Sequence, residues 1–205
     1  MVQSHKNTAV RKDQIVAASK RLIIRRGSEN LTVRAIAKEV GLSECALYRH
    51  FKRKRDILSF LADTIEVDLL GDIQVSSVEG GTYLSILDNI LRGHLSAIKQ
   101  RQGISFQVIA MIVSFGDKKL NKRIYDIIGS YINGIKALIK QGVESGELRQ
   151  NLDLDGTATL YFGMIQGLVN IWALSNYEIN LEETYESSWN TFKECIKRSK
   201  LKTVE

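Results

Sequence analysis

The sequence predicts an all-α protein: a three-helix head carrying a helix-turn-helix, then a larger helical body, about nine helices in all. Three observations carry this. Apolar residues recur at three- and four-residue spacing along most of the chain, and strict alternation is scarce. The 205 residues contain no proline, where average usage would place roughly ten, so nothing of that kind interrupts long helices. Glycines and a Ser-Asn pair punctuate the periodic segments. A 44% hydrophobic and 25% charged composition is that of a globular chain and excludes collagen-like or proline-rich disordered classes.

Each element has a local reason. Ile15, Ala18, Leu22 and Arg25, widened by Val16 and Ile23, mark a first helix over 11–26 that ends at Gly27. Thr32 is placed to cap a second helix running to about Val40, Gly41 makes a tight turn, and Ser43 caps a third helix running to about Phe51. The basic run Lys52-Arg53-Lys54-Arg55 leads into a fourth helix with Ile57, Leu58, Leu61, Ile65 and Leu69. Ser76, Ser77, Gly80 and Gly81 mark 71–81 as a linker. Five further helices are expected at about 82–100, 104–115, 119–145, 154–175 and 181–199.

Charge is distributed unevenly. Residues 1–56 carry 14 basic and 5 acidic side chains, a net +9, and the remainder is −3. Such a head meets a polyanion; charge alone does not distinguish DNA from RNA or a membrane surface. The segment 32–51, TVRAIAKEVGLSECALYRHF, narrows the choice. Two short helices about Gly41 bury Ile36, Val40, Leu42, Leu47 and Phe51, with small Ala37 allowing close approach. The second helix of such a unit enters a major groove about 12 Å wide with its first residues at the base edges.

From Arg11 to Leu58 the chain resembles the TetR family of transcriptional repressors: an amphipathic helix, Gly27, then L-T-V-R-A-I-A-K-E-V-G-L-S, L-Y-R-H-F, and Lys54 with Leu58. Gly146-Glu147-Leu148-Arg149 before Leu152-Asp153 looks like the bend between the family's seventh and eighth helices. The resemblance implies a DNA-binding domain over 1–56 and an effector-binding and dimerisation domain over 57–205. It implies phosphate contacts for Thr32, Tyr48, His50 and Lys54, and contacts at or near bases for Arg34, Ser43, Glu44, Cys45, Ala46 and Arg49. Arg34 has the planar fork suited to guanine. Lys52 and Arg53 join these by position, directly after the recognition helix. Cys45 and Ala46 replace the usual Gly and Thr or Ser, and Arg53 replaces a Ser or Asn cap at a cost of about 1 kcal/mol. Tyr48 fits either a plug in the head's core or a phosphate contact, and Cys45 either a small groove residue or a redox-sensitive thiol.

The body gives softer signals. Leu160, Met164, Leu168 and Ile171, with Gly156, Gly163 and Gly167, form one stripe, and Tyr185, Trp189, Phe192 and Ile196 another. Both suit a four-helix dimer interface, or the subunit's own core. Dimerisation would set two recognition helices about 34 Å apart on a pseudo-palindromic double-stranded DNA operator. His94, Phe106, Gln107, Met111, Tyr125 and Trp172 are candidate contacts of an effector pocket, with Arg92, Lys99, Arg101, Lys122 and Arg123 as basic residues at its mouth. Cys195 is expected in a core or interface.

The expected function is a homodimeric repressor released from its operator by a small hydrophobic effector, with the fourth helix as lever. Alternatives are a regulator of lipid metabolism responsive to a fatty-acyl thioester, and a DNA-bound factor whose body recruits a protein partner. No nucleophile elbow, paired helical His-Glu motif, zinc spacing or phosphate loop appears, so neither an enzyme nor a metal or organic cofactor is expected. No run approaches the roughly 20 apolar residues of a membrane span, and the opening residues lack a signal-peptide core, so a cytoplasmic location is expected.

Overall fold

The computed structural model describes residues 2–27, 30–78 and 81–198. Among the described residues the chain forms α1 (Val2–Arg26), α2 (Val33–Val40), α3 (Glu44–Tyr48), α4 (Lys54–Val78), α5 (Tyr83–Gln100), α6 (Ile104–Phe115), α7 (Lys118–Glu144), α8 (Leu154–Leu174) and α9 (Leu181–Ile196). The only pairing of extended backbone among them is an isolated bridge between Leu148 and Lys197. The all-helical expectation holds.

Several boundaries differ from the sequence reading, among them the end of the last helix, at Ile196 and not 199. The first helix begins at Val2, well before Arg11. The third is a short one, Glu44–Tyr48. The expected linker at 71–81 is helical as far as Val78. A lone Gly71 costs a helix only about 1 kcal/mol, and without a proline the preceding Leu69-Leu70 register carries through; Gly80 lies outside the described residues.

The chain divides into two compact units. The first comprises 1–67 and 102–125, the second 68–101 and 126–205. In the first, α1 packs on α2 and α6, and α2 on α3. Its core joins Ile15, Leu22 and Ile23 of α1 to Leu31, Ile36, Leu47 and Phe51, with Ile57, Leu58 and Leu61 of α4, all at most 4% exposed. In the second, α5, α8 and α9 pack together. Tyr131, Tyr161 and Tyr185 are its largest fully buried side chains. The Tyr161 hydroxyl donates to the Leu87 carbonyl at 2.6 Å. Burial holds that phenol well above its ordinary range, so it remains a donor.

The second unit is closed by the turn after α7. Gly146 adopts a φ of 79°. The amides of Glu147 and Leu148 return to the Gly142 carbonyl at 3.1 and 2.9 Å. A Cβ on Gly142 would stand 2.7 Å from Leu148 Cδ1, so the glycine is required by that close approach.

Candidate nucleic-acid interface

The helix-turn-helix is built by its caps. Thr32 Oγ1 accepts the Ala35 amide at 3.1 Å, and Ser43 Oγ the Ala46 amide at 3.1 Å. Each hydroxyl keeps its own proton to donate outward. Between the helices Gly41 has a φ of 74°, and the Leu42 amide returns to the Ala37 carbonyl at 2.8 Å, a left-handed helix end that a Cβ would strain although it would meet no atom within 4 Å. Leu47 and Phe51, 0% and 4% exposed, plug the head. Tyr48 is 46% exposed and is not the plug.

The other positions singled out in the head line its surface. Thr32, Arg34, Ser43, Glu44, Cys45, Arg49, Lys52 and Arg53 are exposed, and Ala46, His50 and Lys54 are half-buried. Cys45 is a free thiol. His50 Nδ1 is buried with no hydrogen-bond partner.

Several cations of the head hold it together instead. Glu39 of α2 takes Arg21 of α1 at 3.3 Å and Arg25 at 2.5 Å, and the Arg25 hydrogen bond holds its carboxyl below the usual range. Arg55, the last cation of the basic run, pairs with Asp117 at 3.1 Å. The missing hydroxyl cap at Arg53 is replaced from the other side: Asp56, three residues on, accepts the Arg53 amide at 3.1 Å, half of a capping box. The carboxylate at that helix position was the available signal.

In the second unit His94 is 5% exposed, and its Nε2 lies 3.1 Å from the Tyr131 hydroxyl. Trp172 is 7% exposed and meets the Tyr177 ring edge-on at 4.7 Å. Phe106, Gln107, Met111 and Tyr125 belong to the first unit. There Met111 is buried, Phe106 and Gln107 are half-buried, and Gln107 donates to the Gln102 carbonyl at 3.4 Å. Tyr125 is 76% exposed because Ile124 and Ile127 take the buried side of α7; it lines no enclosed site in its unit.

The basic mouth does not assemble from all five residues expected. Arg123 of the first unit reaches Ser59 Oγ at 3.2 Å and pairs with Asp63 and, at 3.7 Å, Glu66. In the second unit Arg92 and Lys99 line a groove of about 200 Å³ with Leu95, Ser96, Leu181, Glu182 and Tyr185. Both are already paired, Arg92 with Asp88 at 3.0 Å and Glu186 at 2.7 Å, Lys99 with Glu182 at 2.9 Å.

The two stripes of the body part company. On α9, Tyr185, Trp189 and Ile196 are at most 3% exposed, and the half-buried Phe192 rests on Tyr161 and Trp189, so this stripe faces the subunit's own core. On α8, Leu168 is buried, whereas Leu160, Ile171 and Leu174 are 68%, 53% and 84% exposed and Met164 is half-buried. Gly163 and Gly167 lie on the open side, with nothing within 4 Å of a Cβ. Gly156 does not: its Cβ would stand 2.6 Å from the capping carboxylate of Asp153. Cys195 is exposed, not in the core. Among the described residues no helix is long and apolar enough to cross a membrane, and no group of three His, Cys, Asp or Glu could hold a metal.

A capped helix-turn-helix with an uncovered cationic surface, attached to a separate helical unit, defines a DNA-binding transcriptional regulator. Residues 15–59 match the model of the bacterial regulatory proteins of the tetR family, and 72–193 match that of the YsiA-like protein C-terminal region. The chain belongs to the tetR family. The fatty acid metabolism regulator protein of Bacillus subtilis (strain 168) is 24% identical over 168 residues, covering 82% of this chain and 86% of that protein. The nucleoid occlusion factor SlmA of Marinomonas sp. (strain MWYL1) is 24% identical, covering 87% and 91%. The crystal structure of FadR from Bacillus subtilis with stearoyl-CoA superposes with a TM-score of 0.73 at 23% identity, covering 87% and 96%. A TetR regulator from Haloarcula marismortui reaches 0.79 at 17% identity, covering 93% and 100%. These structures share the fold, and the Bacillus subtilis and Haloarcula marismortui proteins are regulators.

Proposed function

We propose that the protein is a homodimeric repressor whose operator binding is released by a fatty-acyl thioester. The observation that supports the effector class is the likeness to the Bacillus subtilis fatty acid regulator along both units, a relative whose FadR structure holds stearoyl-CoA. In this reading 1–56 is the DNA-binding domain and 57–205 the effector and dimerisation domain. Thr32, Tyr48, His50, Lys52, Arg53 and Lys54 hold phosphates, while Arg34, Ser43, Glu44, Cys45, Ala46 and Arg49 lie at the base edges. The exposed α8 stripe is the self-association surface, since a patch of Leu160, Ile171 and Leu174 flanked by open glycines suits close approach of a second helix. The effector acts only through its differential affinity for the DNA-competent and released states, and α4, with residues in both units, is the lever between them.

The test is thermal unfolding of the protein with stearoyl-CoA, shorter acyl-CoAs and free coenzyme A. A bound ligand at about 100 times its Kd adds about 2.7 kcal/mol. A rise in Tm with the long acyl chains, absent with coenzyme A, is expected; no rise with any acyl chain refutes the effector class. A second reading is favoured by the likeness to SlmA: a DNA-bound nucleoid occlusion factor whose body binds a protein partner.

A further inference from the structure

Within the first unit the contacts of α7 with α4 fix the direction of α7. Asp117, which caps α7 by accepting the amides of Lys119 and Leu120 at 2.9 and 3.1 Å, lies against Arg55 in the first turn of α4. Arg123, six residues on, meets Ser59, Asp63 and Glu66, one to three turns further along α4. Contacts that advance along both helices in the same sense make them parallel here. The N-terminus of α7 therefore stands beside the N-terminus of α4, which continues directly from Lys52 and Arg53.

Of the acids around this corner, Asp117 takes Arg55, Asp56 accepts the Arg53 amide, and Asp63 and Glu66 further along α4 take Arg123. Asp126 follows one turn beyond Lys122 on α7. At the N-terminal corner itself, Lys118, Lys119 and Lys122 are all exposed. We propose that these three lysines extend the DNA-binding surface, taking phosphates of the duplex beyond those held by the helix-turn-helix. The partner follows from charge complementarity and from continuity with the Lys52–Lys54 run. A lysine ammonium is a flexible point charge without a fixed fork, so the contacts add affinity and salt dependence and no base preference. The proposal rests on the reading that the head binds duplex DNA.

The experiment is anisotropy titration of the full-length protein with a labelled random-sequence duplex of about 30 base pairs, over about 50–200 mM salt. Each lost phosphate contact lowers the magnitude of the log–log slope by about 0.9, so K118Q/K119Q/K122Q is expected to lose about 2–3 units. The charge-matched K140Q/K193Q/K197Q variant, altered only in the second unit, is expected to keep the parental slope. An unchanged slope in the first variant, or an equal loss in both, overturns the proposal. If the triple variant melts well below the parent, the single variants K118Q and K119Q decide, each with an expected loss of about 0.9. A parent with no salt-dependent affinity for duplex would refute DNA binding itself, a different result from a normal parent with an unaltered variant.

Discussion

Glu147 Oε2 lies 2.7 Å from the backbone nitrogen of Tyr83, 64 residues earlier in the chain, and its other oxygen takes the Leu84 amide at 2.8 Å. One carboxylate thus satisfies two of the free amides at the start of α5, where Thr82 holds the Ser85 amide at 3.1 Å. The pair fastens the turn after α7 to the start of α5 within the second unit.

Replacing Glu147 by Ala is expected to destabilise that unit by about 1–3 kcal/mol, the range for charged hydrogen bonds to partly buried donors. Glu147→Gln, which keeps an acceptor for one amide, should fall between. Urea unfolding followed by circular dichroism measures both. A midpoint within error of the parent for Glu147→Ala would mean that water serves these amides equally well.

Thr32 and Ser43 are expected to act twice, as caps and as phosphate donors. Thr32→Ala and Ser43→Ala should each cost about 1 kcal/mol of stability and weaken duplex binding. Thr32→Asp separates the two roles: it restores the cap and sets a negative charge against a phosphate. Its stability should return to the parental value while its DNA affinity falls below that of Thr32→Ala. Parental affinity in Thr32→Asp would remove Thr32 from the interface.

A methyl at Gly167 is expected to change sign with association state. In a lone subunit Gly167→Ala meets no atom and raises helix propensity by up to about 1 kcal/mol. Across a dimer seam the same methyl holds two helices apart, and Gly163→Leu with Gly167→Leu should do so strongly. Sedimentation equilibrium is expected to show a weakened dimer for the double variant. A dimer of parental affinity would move the interface off α8.

Much of the first unit was legible in the sequence because its signals are local. The hydroxyls of Thr32 and Ser43, the left-handed glycines and the core spacing of Ile36, Leu47 and Phe51 each depend on residues a few positions away. The α9 stripe was ambiguous for a physical reason. Tyr185, Trp189 and Ile196 have the periodicity of a buried face, and periodicity does not say whether the cover is the same chain or another. Exposure resolves this: the α9 stripe is covered within its own unit, and of the two stripes the one with uncovered residues is on α8. The ion pairs Arg55–Asp117 and Arg21–Glu39, like the Glu147 cap, join residues far apart in sequence, and no local pattern announces them. Asp117 before Lys118 was nonetheless a helix-cap signal in plain view, two residues ahead of the helix expected from about 119.

Asp117 and Asp63, both in the first unit, should give opposite slopes of stability against pH. The Leu120 amide, with Arg55 and the Lys119 amide, holds the Asp117 carboxyl below its ordinary value. A depressed carboxyl contributes stability that is complete above the unfolded pKa of about 3.9 and is lost as pH falls through the folded value. Asp117→Asn should therefore flatten the loss of stability in acid. At Asp63 burial raises the carboxyl and outweighs the opposing pull of Arg123. Its contribution is complete below the unfolded pKa and is lost as pH rises through the folded value, so Asp63→Asn should make stability climb more steeply with pH just above about 4. Urea midpoints of the parent and both variants, taken between about pH 3 and 7, check both signs. Curves parallel to the parent for Asp117→Asn would mean that the Leu120, Lys119 and Arg55 contacts do not discriminate between its charged and neutral forms.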